Sequence, residues 1–144
     1  MNTSKSRKLC TFKVDRMVFG VEVERVQEII RHQAMTPVPL SHANVRGLMN
    51  LRGQIVTALD LRGRLALPPA PPEHLPVNVV INTNEGSVSL LVDEIGDVME
   101  LNETLFEPPP NTLKGVTKEL IRGAYKLEKG LLLLMDLDAT LRLI

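Results

Sequence analysis

Apolar residues fall in short runs along the chain, each closed by glycine, proline or a charged pair, and most runs suit the two-residue period of a strand. Residues 9–14 and 18–23 flank Asp15-Arg16 and predict a hairpin, with Cys10, Phe12 and Val14 on one side and Gly20 as a candidate bulge. Residues 23–30 (VERVQEII) depart from that period. Val23, Val26 and Ile30 share a face at helical spacing while Glu22, Arg25 and Glu28 lie mostly elsewhere, which predicts one or two helical turns. Pro37 and Pro39 then impose an extended path. Ser41 is a candidate N-cap for a brief turn that Gly47 would end.

The stretch that organises the chain is 47–62, GLMNLRGQIVTALDLR. Gly53 can take a positive φ without steric cost, so two strands are predicted to meet there with Arg52 at the tight connection. The second strand leads into a further glycine-bearing turn at 61–64. Residues 67–76 (LPPAPPEHLP) lack several backbone donors and read as an exposed loop. Residues 77–82 and 88–92 are strands around Asn84-Glu85-Gly86, and 95–101 is another strand. Beyond Pro108, Pro109 and Pro110, residues 120–126 and 131–135 pair around Lys129-Gly130. Asp136 then caps a last helical turn carrying Leu137, Leu141 and Ile144.

Many short strands, frequent turns and no long helical pattern predict an all-β fold of the barrel type. Leu51-Arg52-Gly53 leading to Leu59-Asp60-Leu61 is echoed by Ile121-Arg122-Gly123 leading to Met135-Asp136-Leu137, with the second interval longer. Two similar small barrels would produce the echo, and so would chance in a strand-rich chain. Residues 1–8 are polar and read as a tail, leaving 9–144 as one folded unit.

Composition narrows the chemistry. With 44% hydrophobic and 24% charged residues the chain can bury a core in water. Lys+Arg and Asp+Glu both number 17, so the basic excess that a general nucleic-acid binder uses on phosphates is missing. Aromatics at 3%, with no Trp, leave few platforms for stacking bases. The single cysteine, Cys10, suits a reducing compartment, and neither a signal peptide nor a membrane-spanning run is visible. His32, His42 and His74 are scattered near prolines and loops, without zinc spacing. Asp93, Glu94 and Asp97 crowd together, but a solvated acidic turn explains them more simply than a cation site. No phosphate-binding loop or nucleophile elbow is present. What remains is surface. Arg52 reads either as a structural arginine satisfying carbonyls at its turn or as a partner contact.

Phe19-Gly20-Val21, then Val26-Gln27-Glu28-Ile29, then Gly47-Leu48-Met49-Asn50-Leu51-Arg52-Gly53 and Leu59-Asp60-Leu61-Arg62 resemble the CheW-like family of bacterial chemotaxis coupling proteins. Leu91-Val92-Asp93-Glu94 with Asp97-Val98 is similar to a later signature of that family, and the resemblance spans residues 9–141. It implies two intertwined SH3-like β-barrel subdomains with short helical turns, divided near 67–76 with strand exchange, and a groove between them. It implies no catalysis, no cofactor and no metal. The implied partners are the cytoplasmic tip of a chemoreceptor and the regulatory domain of a CheA-type histidine kinase. Neither nucleic acid nor direct membrane insertion is implied, and the location is cytoplasmic, at receptor arrays. Carried over by position, Val26, Ile30, Leu90 and Val92 line the receptor groove, Arg52 serves or braces it, and Gly47 and Met49 face the kinase. Thr57-Ala58 stands where the family has proline, and Ser89 replaces a glycine or other small residue, which would add a polar group beside the groove. No phosphotransfer, ATP-binding or receiver segment accompanies the domain, so a stand-alone adaptor is expected. A coupling protein of a non-motility chemosensory pathway shares this chemistry, and an unrelated SH3-like binding module is the more distant alternative.

Overall fold

The computed structural model describes residues 5–39 and 43–142. Eleven strands and three single-turn helices follow in order. They are β1 (Ser6–Val14), β2 (Met17–Glu22), β3 (Val26–Ile30), β4 (Val45–Leu51), β5 (Gln54–Asp60), α1 (Leu61–Arg64), β6 (Val77–Thr83) and β7 (Gly86–Val92). After them come β8 (Glu94–Asn102), β9 (Phe106–Glu107), α2 (Gly115–Glu119), β10 (Ile121–Leu127), β11 (Gly130–Met135) and α3 (Leu137–Leu141). The all-β expectation holds.

The strands form two sheets, ordered β8-β1-β2-β11-β10-β9 and β3-β6-β7-β5-β4. Each draws strands from both sides of the 67–76 loop, joined by parallel pairs, β2 with β11 and β5 with β7. The first sheet must roll up. Its outermost strands, β8 and β9, are joined only by a 3₁₀ turn, Glu103–Leu105, whereas six flat strands would span about 24 Å. The second sheet closes through Thr36, which exchanges two backbone hydrogen bonds of 2.9 and 2.8 Å with Leu48. Each barrel has a small interior. Leu9, Tyr125, Leu132 and Leu134 fill the first, and Met49, Leu51, Val56 and Val80 the second. A larger shared core, including Phe12, Phe19, Ile81, Leu90 and Leu133, lies between them.

The central hairpin is as expected. Arg52 (φ 49°) and Gly53 (φ 87°) form a two-residue turn with both φ positive, and Asn50 Oδ1 accepts from the Gly53 amide at 2.9 Å. Asp136 caps α3 by accepting from the Ala139 amide at 3.0 Å.

Several expectations need correction. Residues 23–30 are a three-residue 3₁₀ turn, Val23–Arg25, followed by a strand. The ladder to β6 shifts register between Val26 and Glu28, so Val26 and Ile29 face one side. A β-bulge adds one residue and thereby imitates helical spacing. Gly47 sits inside β4 at another such shift and ends no helical turn. Gly20 lies in unbroken register, against Leu9 and Leu132, and the bulge in that region falls between Cys10 and Phe12 against β8. β1 begins at Ser6, inside the stretch read as a tail. Residues 61–64 form a helical turn, and β9 and α2 had no sequence signal. The proposed cap at Ser41 and the contact of Ile144 lie outside the described residues.

The internal echo is present in a different register. Val45 pairs with Leu59 as Ile121 pairs with Met135, across the same interval, and each pair is followed by a bulge ending at a glycine, Gly47 or Gly123. The matching segment is therefore Val45-Arg46-Gly47, not Leu51-Arg52-Gly53, and no turn was inserted. The Asp60 amide donates to Asn44 O at 2.7 Å and the Asp136 amide to Leu120 O at 2.8 Å, before α1 and α3 respectively. The two helices meet through Arg64, which donates to the carbonyls of Ala139, Thr140 and Arg142 at 2.9–3.0 Å.

Candidate functional site

The register that builds the shared core also leaves part of it uncovered. On β3, Val26 and Ile29 stand opposite Ile81 and Val79, both core residues, yet Ile29 is 41% exposed because β3 is an edge strand. On β8, Ile95 and Val98 stand opposite Phe12 and Cys10, also core residues, and are 38% and 60% exposed at the edge of the other sheet. Both edges therefore carry apolar side chains on the faces that the two sheets turn towards each other. Among the described residues, exposed large apolar side chains on these faces number one on β3, Ile29, and two on β8, Ile95 and Val98.

Charge brackets Ile29 on β3. Glu28 points to the opposite face of β3 and forms an ion pair with Arg52 from the central turn. Arg52 is thus a brace between turn and edge strand, and its guanidinium is still largely exposed. Gln27, next along β3, accepts from the Ser87 hydroxyl at 2.7 Å.

A second charged cluster fixes the start of β8. Arg62 on α1 donates to both oxygens of Asp93, at 3.0 and 2.7 Å, and to Pro68 O at 2.7 Å. Asp93 also accepts from the Asp15 amide at 2.7 Å. Burial pushes the Asp93 carboxyl up, but the Arg62 and Asp15 hydrogen bonds with the guanidinium charge outweigh it and hold the group below its ordinary value. The Asp93 hydrogen bonds, with the negative charges of Asp93, Asp15 and Asp60, raise Arg62 against the opposing effect of its burial. Asp93 is therefore no solvated turn residue. It ties the β1–β2 turn, α1 and the proline-rich loop to the point where the chain passes from one barrel to the other. His74 Nε2, also buried, lies 4.0 Å from Asp93. A pocket of about 260 Å³ lies beneath this loop, and its charges are paired within the protein, Arg46 with Asp60 at 3.0 Å and Arg62 with Asp93. Among the described residues no group of three or more His, Cys, Asp or Glu is placed to hold a metal ion. No helix among them is long and apolar enough to cross a membrane.

The residues carried over by family position are not brought together on one surface. Val26 and Arg52 belong to the β3 edge. Ile30 faces the small core of the second barrel, because the bulge sends Ile29 to the outer position instead. Leu90 and Val92 are completely buried in the shared core and support a groove only from beneath. Met49 is buried in the second barrel, and Gly47 packs against Thr36 O, so neither offers a side chain to a partner. Ser89 is also buried. Its hydroxyl donates to Asn78 Oδ1 at 2.8 Å, and Asn78 Nδ2 donates to Arg31 O at 3.2 Å. The polar group expected beside the groove is spent inside the barrel. Ile29, Ile95 and Val98 escaped the sequence reading, because edge position and bulge register are properties of pairing, not of the strand's own residues.

A second open cleft, of about 930 Å³, is lined by residues that include Ile55, Val88, Asp138, Leu141 and Arg142. Its rim mixes charges of both signs, including Arg25 at 3.8 Å from Asp138.

The CheW-like domain family model matches residues 8–144. The probable chemotaxis protein CheW of Rhizobium etli is 30% identical over 133 residues, covering 92% of this chain and 86% of that protein. The chemotaxis protein CheW of Bacillus subtilis is 31% identical over 134 residues, covering 93% and 86%. The crystal structure of the scaffolding protein TtCheW from Thermoanaerobacter tengcongensis superposes with a TM-score of 0.81 at 21% identity, over 91% of this chain and 89% of that one. With a matching architecture and a family match over nearly every residue, this chain belongs to the CheW-like family of chemotaxis coupling adaptors.

Proposed function

We propose that this chain is a non-catalytic coupler which holds the cytoplasmic tip of a chemoreceptor against the regulatory domain of a CheA-type histidine kinase, within receptor arrays in the cytoplasm. The observation that carries this reading is the set of exposed apolar side chains at two sheet edges, Ile29 on β3 and Ile95 with Val98 on β8, each standing opposite a residue of the core between the barrels. A receptor helix would lay its apolar face along them, and the Arg52–Glu28 pair would set the polar border. The kinase would then use exposed parts of the central hairpin, such as Ile55, since Gly47 and Met49 are packed inside. Each contact is of modest size, and array assembly would add avidity through effective concentration.

Pull-down from source lysate with the wild type, Val98→Glu and Ile55→Glu tests the assignment, with circular dichroism confirming that each is folded. The wild type should recover a methyl-accepting receptor and a CheA-type kinase. Val98→Glu should lose the receptor and keep the kinase, and Ile55→Glu should do the reverse. Retention of the receptor by Val98→Glu would sink the groove, and absence of both partners with the wild type would sink the coupling role.

A further inference from the structure

Ile95 and Val98 stand three positions apart on β8, and in an unbroken strand that spacing sends two side chains to opposite faces. They share a face because the ladder to β1 shifts register between Cys10 and Phe12. Cys10 stands opposite Val98 and Phe12 opposite Ile95, so Gly96 and Asp97 together oppose Thr11. Past this bulge, Met99 stands opposite Leu9, and Leu101 packs with Leu9 in the first barrel. Without the bulge, Ile95 would fall on the face of Met99 and Leu101 and turn towards that interior.

The bulge is built around one side chain. Thr11 is buried, and its hydroxyl donates to Asp97 O at 2.6 Å. A Cβ on Gly96 would stand 2.5 Å from Thr11 Oγ1, so the hydroxyl occupies the space that glycine leaves. The start of the segment is fixed separately, by Arg62 on the Asp93 carboxylate and by the Asp93 amide, which donates to Lys13 O at 2.9 Å. Residues 94–96 therefore run between two anchored points. On β3 a bulge likewise puts Val26 and Ile29 on one face, and the Ser87 hydroxyl holds its extra residue, Gln27. That bond is exposed, whereas Thr11 lies inside.

We infer that Thr11 is a positioning residue, whose hydroxyl, seated against Gly96 and bonded to Asp97 O, keeps Ile95 and Val98 on the one face offered to the receptor helix. This rests on the receptor reading above, and Thr11 acts there only through β8. The role belongs to the hydroxyl. Valine has nearly the same shape but leaves the Asp97 carbonyl without its donor, and serine keeps the donor.

Thr11→Val and Thr11→Ser, set beside Val98→Glu in the lysate pull-down, separate the positioning role from the receptor site. With folding confirmed by circular dichroism, Thr11→Val should recover about fivefold less receptor than the wild type and as much kinase, and Thr11→Ser should match the wild type in both. Gly96→Ala, which displaces the hydroxyl from the exposed side, should behave as Thr11→Val does. Retention of the receptor by Thr11→Val, its loss from Thr11→Ser, or an equal loss of kinase overturns the proposal. Retention of the receptor by Val98→Glu overturns the receptor reading instead, and the register then judges Thr11 by itself. Nuclear Overhauser contacts of Ile95 with Phe12 and of Val98 with Cys10 should be present in the wild type and Thr11→Ser, and those of Ile95 should vanish in Thr11→Val. Unchanged contacts in Thr11→Val refute the positioning role whatever the pull-down gives.

Discussion

Gly47 in one barrel and Gly123 in the other occupy equivalent bulges, and the comparison shows how one plan is adapted to two interiors. A Cβ at Gly47 would stand 2.7 Å from Thr36 O, in the segment that closes the second barrel. A Cβ at Gly123 would stand 2.4 Å from Glu107 O and 2.3 Å from Phe106 Cζ, in the segment that closes the first. Both glycines thus let a closing strand approach the hairpin backbone. The interiors behind them diverge. The second is lined by Met49, Leu51, Val56 and Val80 with an internally satisfied Asn78–Ser89 pair, the first by leucines and a tyrosine. The shared core then binds the halves together, so stability is a common property while polar chemistry is local.

Equivalent glycines make the sharpest test of that comparison. Gly123→Ala should cost about 3–4 kcal/mol in denaturant unfolding, and Gly47→Ala about 2 kcal/mol, since the first meets two obstructions and the second one. Equal costs would mean that β9 moves as freely as the Thr36 segment.

Arg62→Ala should cost about 2–3 kcal/mol, because it leaves the largely buried Asp93 carboxylate without its cation. The loss should appear as one transition for both barrels, since the shared core spans them. Two separable transitions would break the picture of a joint core. A carboxyl held low in the folded state stabilises fully above the unfolded value, near pH 4, and the benefit is lost as pH falls through the folded value. Asp93→Asn should therefore be less stable at neutral pH, and its acid unfolding limb below about pH 4 should be flatter than that of the wild type.

Ser89→Ala should cost about 1–2 kcal/mol by leaving Asn78 Oδ1 without its donor. Hydrogen exchange should loosen first at the end of β3, where Asn78 holds the Arg31 carbonyl. The smallest effect belongs to Arg52→Ala, below about 0.5 kcal/mol, since its pair with Glu28 is half in solvent. A stability loss well above that would make Arg52 chiefly structural, whereas weakened receptor binding at wild-type stability would place it at the interface.

Much of this molecule is readable from local signals. Arg52-Gly53 is a turn because glycine accepts positive φ, 67–76 is a loop because its prolines lack donors, and Asp136 caps a helix because its short carboxylate reaches a free amide. These depend on neighbours along the chain, and so did the hairpins at Asp15-Arg16 and Asn84-Glu85-Gly86. The all-β class and the family follow from such signals taken in order.

Pairing between distant strands was decided elsewhere. A bulge between Val26 and Glu28 turned an apparent helical face into a strand and exchanged Ile30 for Ile29 at the surface. Leu90 and Val92 went inside because β7 lies in the middle of its sheet, and Val98 stayed out because β8 is an edge. Asp93 gained Arg62 from 31 positions away and ceased to be a solvated acid. A side chain's own chemistry sets what it can do at a turn or cap, where its partners are adjacent in the chain. Burial and register depend on which strand arrives alongside, and that is a property of the packed tertiary structure alone.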